Sequence, residues 1–431
     1  HLADLRFGTF RDESGREVQL QQNGLYRYLT SASRQVRREV WERYHDAYLG
    51  VRNTLVANYA GEVKRNVFVA RARGYSSALD AALDQSHTPR DVYDNLLDSF
   101  DRNVGVWQRY FRVLARLLDV EKVHDWDLSE MPIVMPGRME RQFSFDEGID
   151  LVIDALAPLG DEYLGIVRRS VDERWIDVYS NVGKASGAFS GGGYGLPPFI
   201  LLNWTDSLAS VSVLAHELGH SAHSYLAWET QPYVYAYYGD VIGETASNIN
   251  QVLLADHLLR TSDDPDLQIA VILERMGGSL RYLFNMVLLA SFELACHEQV
   301  EDGKALTADW MIGTMADMHE RACGDAMVID RERVGIRWAT MSHPFLPFYV
   351  YSYGTGTAAA MAIGRQILDE GQPAVDRYLA MLRTGGSDYQ HEAIARAGAD
   401  LRDPATMQAA FDTLAGYVDR LEARVDGETV P

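Results

Sequence analysis

Residues 206–228 read DSLASVSVLAHELGHSAHSYLAW, and the rest of the chain is best read outward from them. Leu208, Val211, Ala215, Leu218, Ala222 and Leu226 recur at spacings of three and four, which predicts a helix. Asp206 stands where an N-cap is expected. On that helix His216 and His220 are one turn apart and share a face. Two neutral imidazoles so placed can bind one zinc ion, and Glu217 beside them can take a proton from a water at that ion. Gly219 keeps the helix slim between the histidines, where a substrate can approach.

A zinc site of this kind needs a third protein ligand. A second helix is expected from Tyr237 through Gln251, with an apolar tail in Val252, Leu253, Leu254, Leu258 and Leu259. Glu244 lies in it between small residues: Gly243, Thr245, Ala246 and Ser247. Small neighbours let two helices approach, so the carboxylate can cross to the metal. The expected ligands are therefore His216, His220 and Glu244, with Glu217 as the base. Asp240 and Asn248, one turn to either side of Glu244, are candidates to orient a ligand.

HELGHSAHS at 216–224, followed by GETASNINQ at 243–251, resembles the thimet oligopeptidase and oligoendopeptidase F family of zinc metallopeptidases. The oligoendopeptidase F branch matches best, from about residue 20 to the C-terminus. The resemblance implies a mainly α, zincin-like oligopeptidase fold. Long helices would surround a deep substrate channel, with a small β element beside the zinc helix. It implies one Zn2+ on His216, His220 and Glu244, general-base chemistry at Glu217, and internal cleavage of short peptides. It implies, too, that the glycine-rich run 183–194 and the strand-like run 197–203 hold the substrate backbone. Gly187, Ala188, Phe189, Phe199, Ile200 and Leu201 are the candidates there. Backbone pairing reads no side chains and tolerates many sequences.

A second stretch, WATMSHPFLPFYVYSYGTGT at 338–357, matches the family segment that supplies a histidine and tyrosine hydroxyls to the reaction. The resemblance assigns His343 and Tyr351 to stabilise the oxyanion, with Tyr349 and Tyr353 as alternatives. If extended, the three tyrosines share a face; on a helix, Tyr349 and Tyr353 align instead. His223, three residues after His220, can meet substrate or simply pack.

Composition narrows the field. The 431 residues carry a net charge of −21 and a hydrophobic fraction of 47%, which is globular and argues against nucleic acid as a partner. Cys296 and Cys323 make no disulfide framework. The apolar run 283–294 is too short to span a bilayer and reads as a core helix. No signal peptide is visible, so a cytoplasmic, non-membrane protein is expected, with the oligomeric state open.

Two regions are expected: a helical one at 1–145 and a catalytic one at 146–431. Family members usually carry a further N-terminal helical lobe, and the resemblance implies that much of it is missing ahead of this chain, which starts at His1. Local expectations are a hairpin around Asp12–Gly15, a non-helical connector at 121–142, a strand-like run at 141–145 and a helix break at Gly277-Gly278. Two other functions fit the same residues: a non-hydrolytic peptide-binding protein on this scaffold, or a zinc amidohydrolase of small acylated substrates.

Overall fold

The computed structural model describes residues 5–21, 25–128, 141–185 and 187–427. Most of the connector expected at 121–142 (residues 129–140) lies outside them, as does Ser186 of the glycine-rich run. Among the described residues there are seventeen α-helices and seven strands of two or three residues. The fold is mainly α, as expected. The chain forms two compact units. One comprises 1–138, 277–351 and 418–431; the other comprises 139–276 and 352–417.

In the first unit the expected hairpin is present, with Thr9–Arg11 antiparallel to Glu17–Gln19. Long helices follow at Arg34–Leu49, Arg52–Arg73, Arg90–Leu117, Met286–Glu301 and Ala308–Cys323. Their apolar stripes meet in an aromatic core. Phe284 stands edge-on to Phe100, Trp107 and Phe111 at 5.3–5.6 Å. Such pairs add to the burial of their own large surfaces.

The second unit is built on two helices, Leu208–Thr230 and Asp240–Thr261. Both bury residues around most of their circumference, the pattern of central rather than surface helices. Buried Asn250 ties them together. Its Nδ2 donates to Ala215 O at 2.9 Å, and its Oδ1 accepts from Tyr163 Oη at 2.9 Å. A three-stranded sheet lies beside the first of them. Phe199–Leu201 is its middle strand, parallel to Ile176–Asp177 and antiparallel to Phe189–Gly191.

Three local expectations change. The N-cap of Leu208–Thr230 is Ser207, whose hydroxyl accepts from Ser210 N. Asp206 instead turns to φ 54° and accepts from Trp204 Nε1 at 2.9 Å. Residues 141–144 form no strand; a helix starts at Phe145, closed by a capping box between Ser144 and Glu147. The helix Pro265–Ser279 runs through Gly277-Gly278, then passes into a π-helical turn, Leu280–Asn285, and the helix Met286–Glu301. Full burial of Met276 and Leu280 outweighs the roughly 1 kcal/mol that a helical glycine costs. By length and composition, Pro265–Glu301 is the one helical stretch among the described residues that can cross a membrane. However, 72% of its apolar window is buried inside the protein, as in a core helix.

Candidate active site

The two central helices of the second unit pack closely because of one residue. A Cβ on Gly219 would meet Ser247 Cα at 2.6 Å and Ala246 O at 2.9 Å. Gly219 is buried against the second helix. It makes room for the backbone that carries Glu244, not for a substrate as the sequence suggested. On a third helix, Tyr351–Glu370, Gly356 plays a similar part: a Cβ there would lie 3.2 Å from Glu244 Cβ.

This approach brings His216, His220 and Glu244 together. One ligand atom from each lies within 4.8 Å of the others. The two imidazole planes stand at 86° with centroids 4.8 Å apart, and His216 Nε2 lies 3.8 Å from Glu244 Oε2. Burial, then the neighbouring His216 and His223, hold the His220 pKa well below the usual imidazole range, so its ring is neutral. The donor set is two imidazoles and one carboxylate, half-buried. That is the composition of a three-ligand zinc site with an open position, and the residues fit one Zn2+.

Glu217 is 6% exposed. Its Oε2 meets no protein hydrogen-bond partner. Burial pushes its carboxyl up to about 7; His216 and the Ser190 N–H pull it down, and Glu244 pushes it further up. Ser190 belongs to Phe189–Gly191, the edge strand of the small sheet, so that edge lies against the base. Ser190 Oγ and Ser221 Oγ, 2.8 Å apart, tie the strand to the helix of the histidines.

The sheet separates the six substrate-binding candidates. Phe199, Ile200 and Leu201 form the middle strand, whose backbone is paired along both edges. It has no free edge for a substrate backbone. Ile200 is buried, whereas the Phe199 side chain is 49% exposed. Gly187, Ala188 and Phe189 lead into Phe189–Gly191, one of the sheet's two edge strands and the one beside Glu217.

The remaining candidates divide as well. His223 is buried and its ring stacks on Tyr238 with centroids 3.5 Å apart. Burial pushes its pKa down to about 3. In the first unit, His343 and Tyr349 stack at 6.2 Å. Both are half-buried, as is Tyr353 in the second unit. Tyr351 is different. It opens a helix, is 5% exposed, and its hydroxyl lies 3.0 Å from Thr88 Oγ1, with Tyr93 packed beside it. Its hydroxyl oxygen is directed toward Thr88 within the first unit.

Among the two orienting candidates, Asn248 donates from Nδ2 to Glu244 O at 2.7 Å and lies 3.4 Å from Glu244 Oε2. Asp240 is exposed at the start of its helix. The sequence reading assigned no role to Gln251, whose Oε1 lies 3.1 Å from His216 Nδ1. Its spacing was available: Gln251 stands seven residues, about two turns, after Glu244.

Comparison with known proteins agrees with this geometry. Residues 27–413 match the model of Peptidase family M3. Oligopeptidase PepF of Bacillus subtilis is 35% identical over 97% of this chain, which spans 62% of that protein's length. The chromosomal oligoendopeptidase F of Lactococcus lactis subsp. cremoris is 31% identical over 98% of this chain and 70% of its own. The crystal structure of oligoendopeptidase-F from Enterococcus faecium superposes with a TM-score of 0.80 at 29% identity. That match covers 99% of this chain and 70% of the other.

Proposed function

The chain belongs to peptidase family M3, and on that footing we propose that it hydrolyses internal bonds of short peptides with zinc and an activated water. The observation that carries this reading is the convergence of His216, His220 and Glu244 beside the buried carboxylate of Glu217. A zinc ion held by these three residues supplies Lewis acidity toward a carbonyl and acidifies a water molecule. Glu217 takes the proton from the attacking water at its unpartnered Oε2 and later gives it to the leaving amine. The edge strand Phe189–Gly191 aligns the substrate backbone. His343 donates to the carbonyl oxygen as it gains charge. A tyrosine hydroxyl, that of Tyr351 or alternatively of Tyr349 or Tyr353, is the second donor.

Substrates are short peptides in this proposal, with no part for nucleic acid or a bilayer. A cytoplasmic site of action belongs to the same reading; the two cysteines, both free and buried, support it. Glu217→Gln tests the central role. It should lower kcat by at least about 100-fold while zinc remains bound at one per chain. Wild-type turnover in this variant would remove Glu217 from the mechanism.

A further inference from the structure

His216 has two ring nitrogens, and only one can face the metal. Nε2 points to Glu244, 3.8 Å away. Nδ1 points the other way, to Gln251 Oε1 at 3.1 Å. Gln251 Nε2 donates to Ser212 Oγ at 2.7 Å, and Ser212 Oγ donates to Glu274 Oε1 at 2.7 Å. Ser212 is buried, one turn before His216 on the same helix. Gln251 lies on the Glu244 helix, and Glu274 comes from a third, Pro265–Ser279.

The direction of this chain is set from its far end. Ser212 Oγ donates to Glu274 Oε1, so its single hydroxyl hydrogen is used there. The lone pairs of Ser212 are then left for the amide N–H of Gln251. That fixes the amide with its oxygen toward His216. An amide oxygen only accepts, so Nδ1 must carry the hydrogen. A neutral imidazole with its hydrogen on Nδ1 has its lone pair on Nε2, the atom that faces Glu244.

We propose that Glu274, Ser212 and Gln251 are positioning residues, a one-way hydrogen-bond chain that holds His216 in the Nδ1–H tautomer and presents its Nε2 lone pair to the metal. The chain does for His216 what a direct carboxylate does in many zinc sites, with the carboxylate two groups removed. It rests on the metal reading of the site and not on the peptide chemistry.

The test uses the full chain, freed of metal and titrated with zinc against a chelator of known affinity. Each variant is also loaded with Co2+ and its visible spectrum recorded. Gln251→Leu should raise the zinc dissociation constant by about 10–100-fold and shift the cobalt bands. Gln251→Glu, which restores an acceptor for Nδ1–H, should recover most of that loss. Ser212→Ala touches neither the metal nor His216, yet should weaken zinc measurably by freeing the Gln251 amide to turn. Thermal unfolding of the metal-free variants checks that they fold, and Ser212→Ala alone decides should Gln251→Leu not fold. Wild-type zinc affinity and cobalt spectra in the folded variants would overturn the relay. A wild-type chain that binds no zinc would overturn the metal reading itself, a result distinct from the first.

Discussion

Replacing Gly219 by alanine isolates the packing that carries Glu244 to the histidines. The added Cβ would lie 2.6 Å from Ser247 Cα, 2.9 Å from Ala246 O and 3.1 Å from Ser247 N. All three are backbone atoms, so no side chain can swing aside. Carbon–carbon contacts sit at about 3.5–4.0 Å, and the second helix must retreat by about 1 Å. Ser247 is one turn beyond Glu244, so the carboxylate moves with it. Ligand distances in a metal site hold to within about 0.2 Å, several times less than this shift. Overpacking costs about 1–3 kcal/mol, which the fold can survive. A ligand displaced by about 1 Å costs about 100-fold at a working site, so zinc affinity should fall far more than stability does. The assay pairs zinc competition with thermal unfolding of the metal-free chain. Gly165→Ala is the reference: that glycine lies in a helix, exposed, with nothing within 4 Å of an added Cβ. It should stabilise by about 0.5–1 kcal/mol. Wild-type zinc affinity in Gly219→Ala would refute the argument that this close approach places Glu244.

Two further predictions concern the segment around His343. Glu293 is 1% exposed and accepts from Phe348 N at 2.7 Å, where the chain turns at φ 50°. Burial pushes its carboxyl from 4.5 up to about 8, and the Phe348 N–H pulls it partly back. Between those pH values the unfolded chain has released this proton and the folded chain keeps it, so this group's contribution to stability falls as pH rises. Glu293→Gln keeps the acceptor and removes the titration. Its thermal midpoint relative to wild type should therefore climb from pH 4.5 to 8, and a difference that is flat across that window would contradict the assignment. For the tyrosines, Tyr351→Phe should lower stability by about 1 kcal/mol through the lost Thr88 contact. Changed to Phe one at a time, the one of Tyr351, Tyr349 and Tyr353 that supplies the second donor should lower kcat by about 100-fold, and wild-type kcat in all three variants would remove a tyrosine donor from the mechanism.

What could be read before folding was what helical geometry alone determines. His216 and His220 share a face by spacing, and small residues around Glu244 announce a close helix crossing. The hairpin at Asp12–Gly15 is equally local. What could not be read depends on partners distant in sequence. Asp206 gave up the cap to reach the Trp204 indole, and Ser207 took it. Gly219 serves a neighbouring helix that its own stretch does not reveal. Phe199–Leu201 looked like a substrate edge until strands on both sides claimed its backbone. The Glu274–Ser212–Gln251 chain joins three helices, and no spacing within any one of them shows that the three side chains meet. One miss was avoidable: Ser144-x-x-Glu147 is a capping-box pattern and marks the helix at Phe145 without any tertiary knowledge.

In the proposed function this chain cuts short peptides internally through a zinc held by His216, His220 and Glu244. The most direct measurement is mass spectrometry of a mixed pool of short peptides incubated with the protein as purified, after chelation, and after zinc is restored. Internal cuts that vanish on chelation and return with zinc, and that are absent from zinc-loaded Glu217→Gln, are the predicted result. Cuts that persist without metal, or a folded, zinc-loaded wild-type chain that makes none, would contradict it.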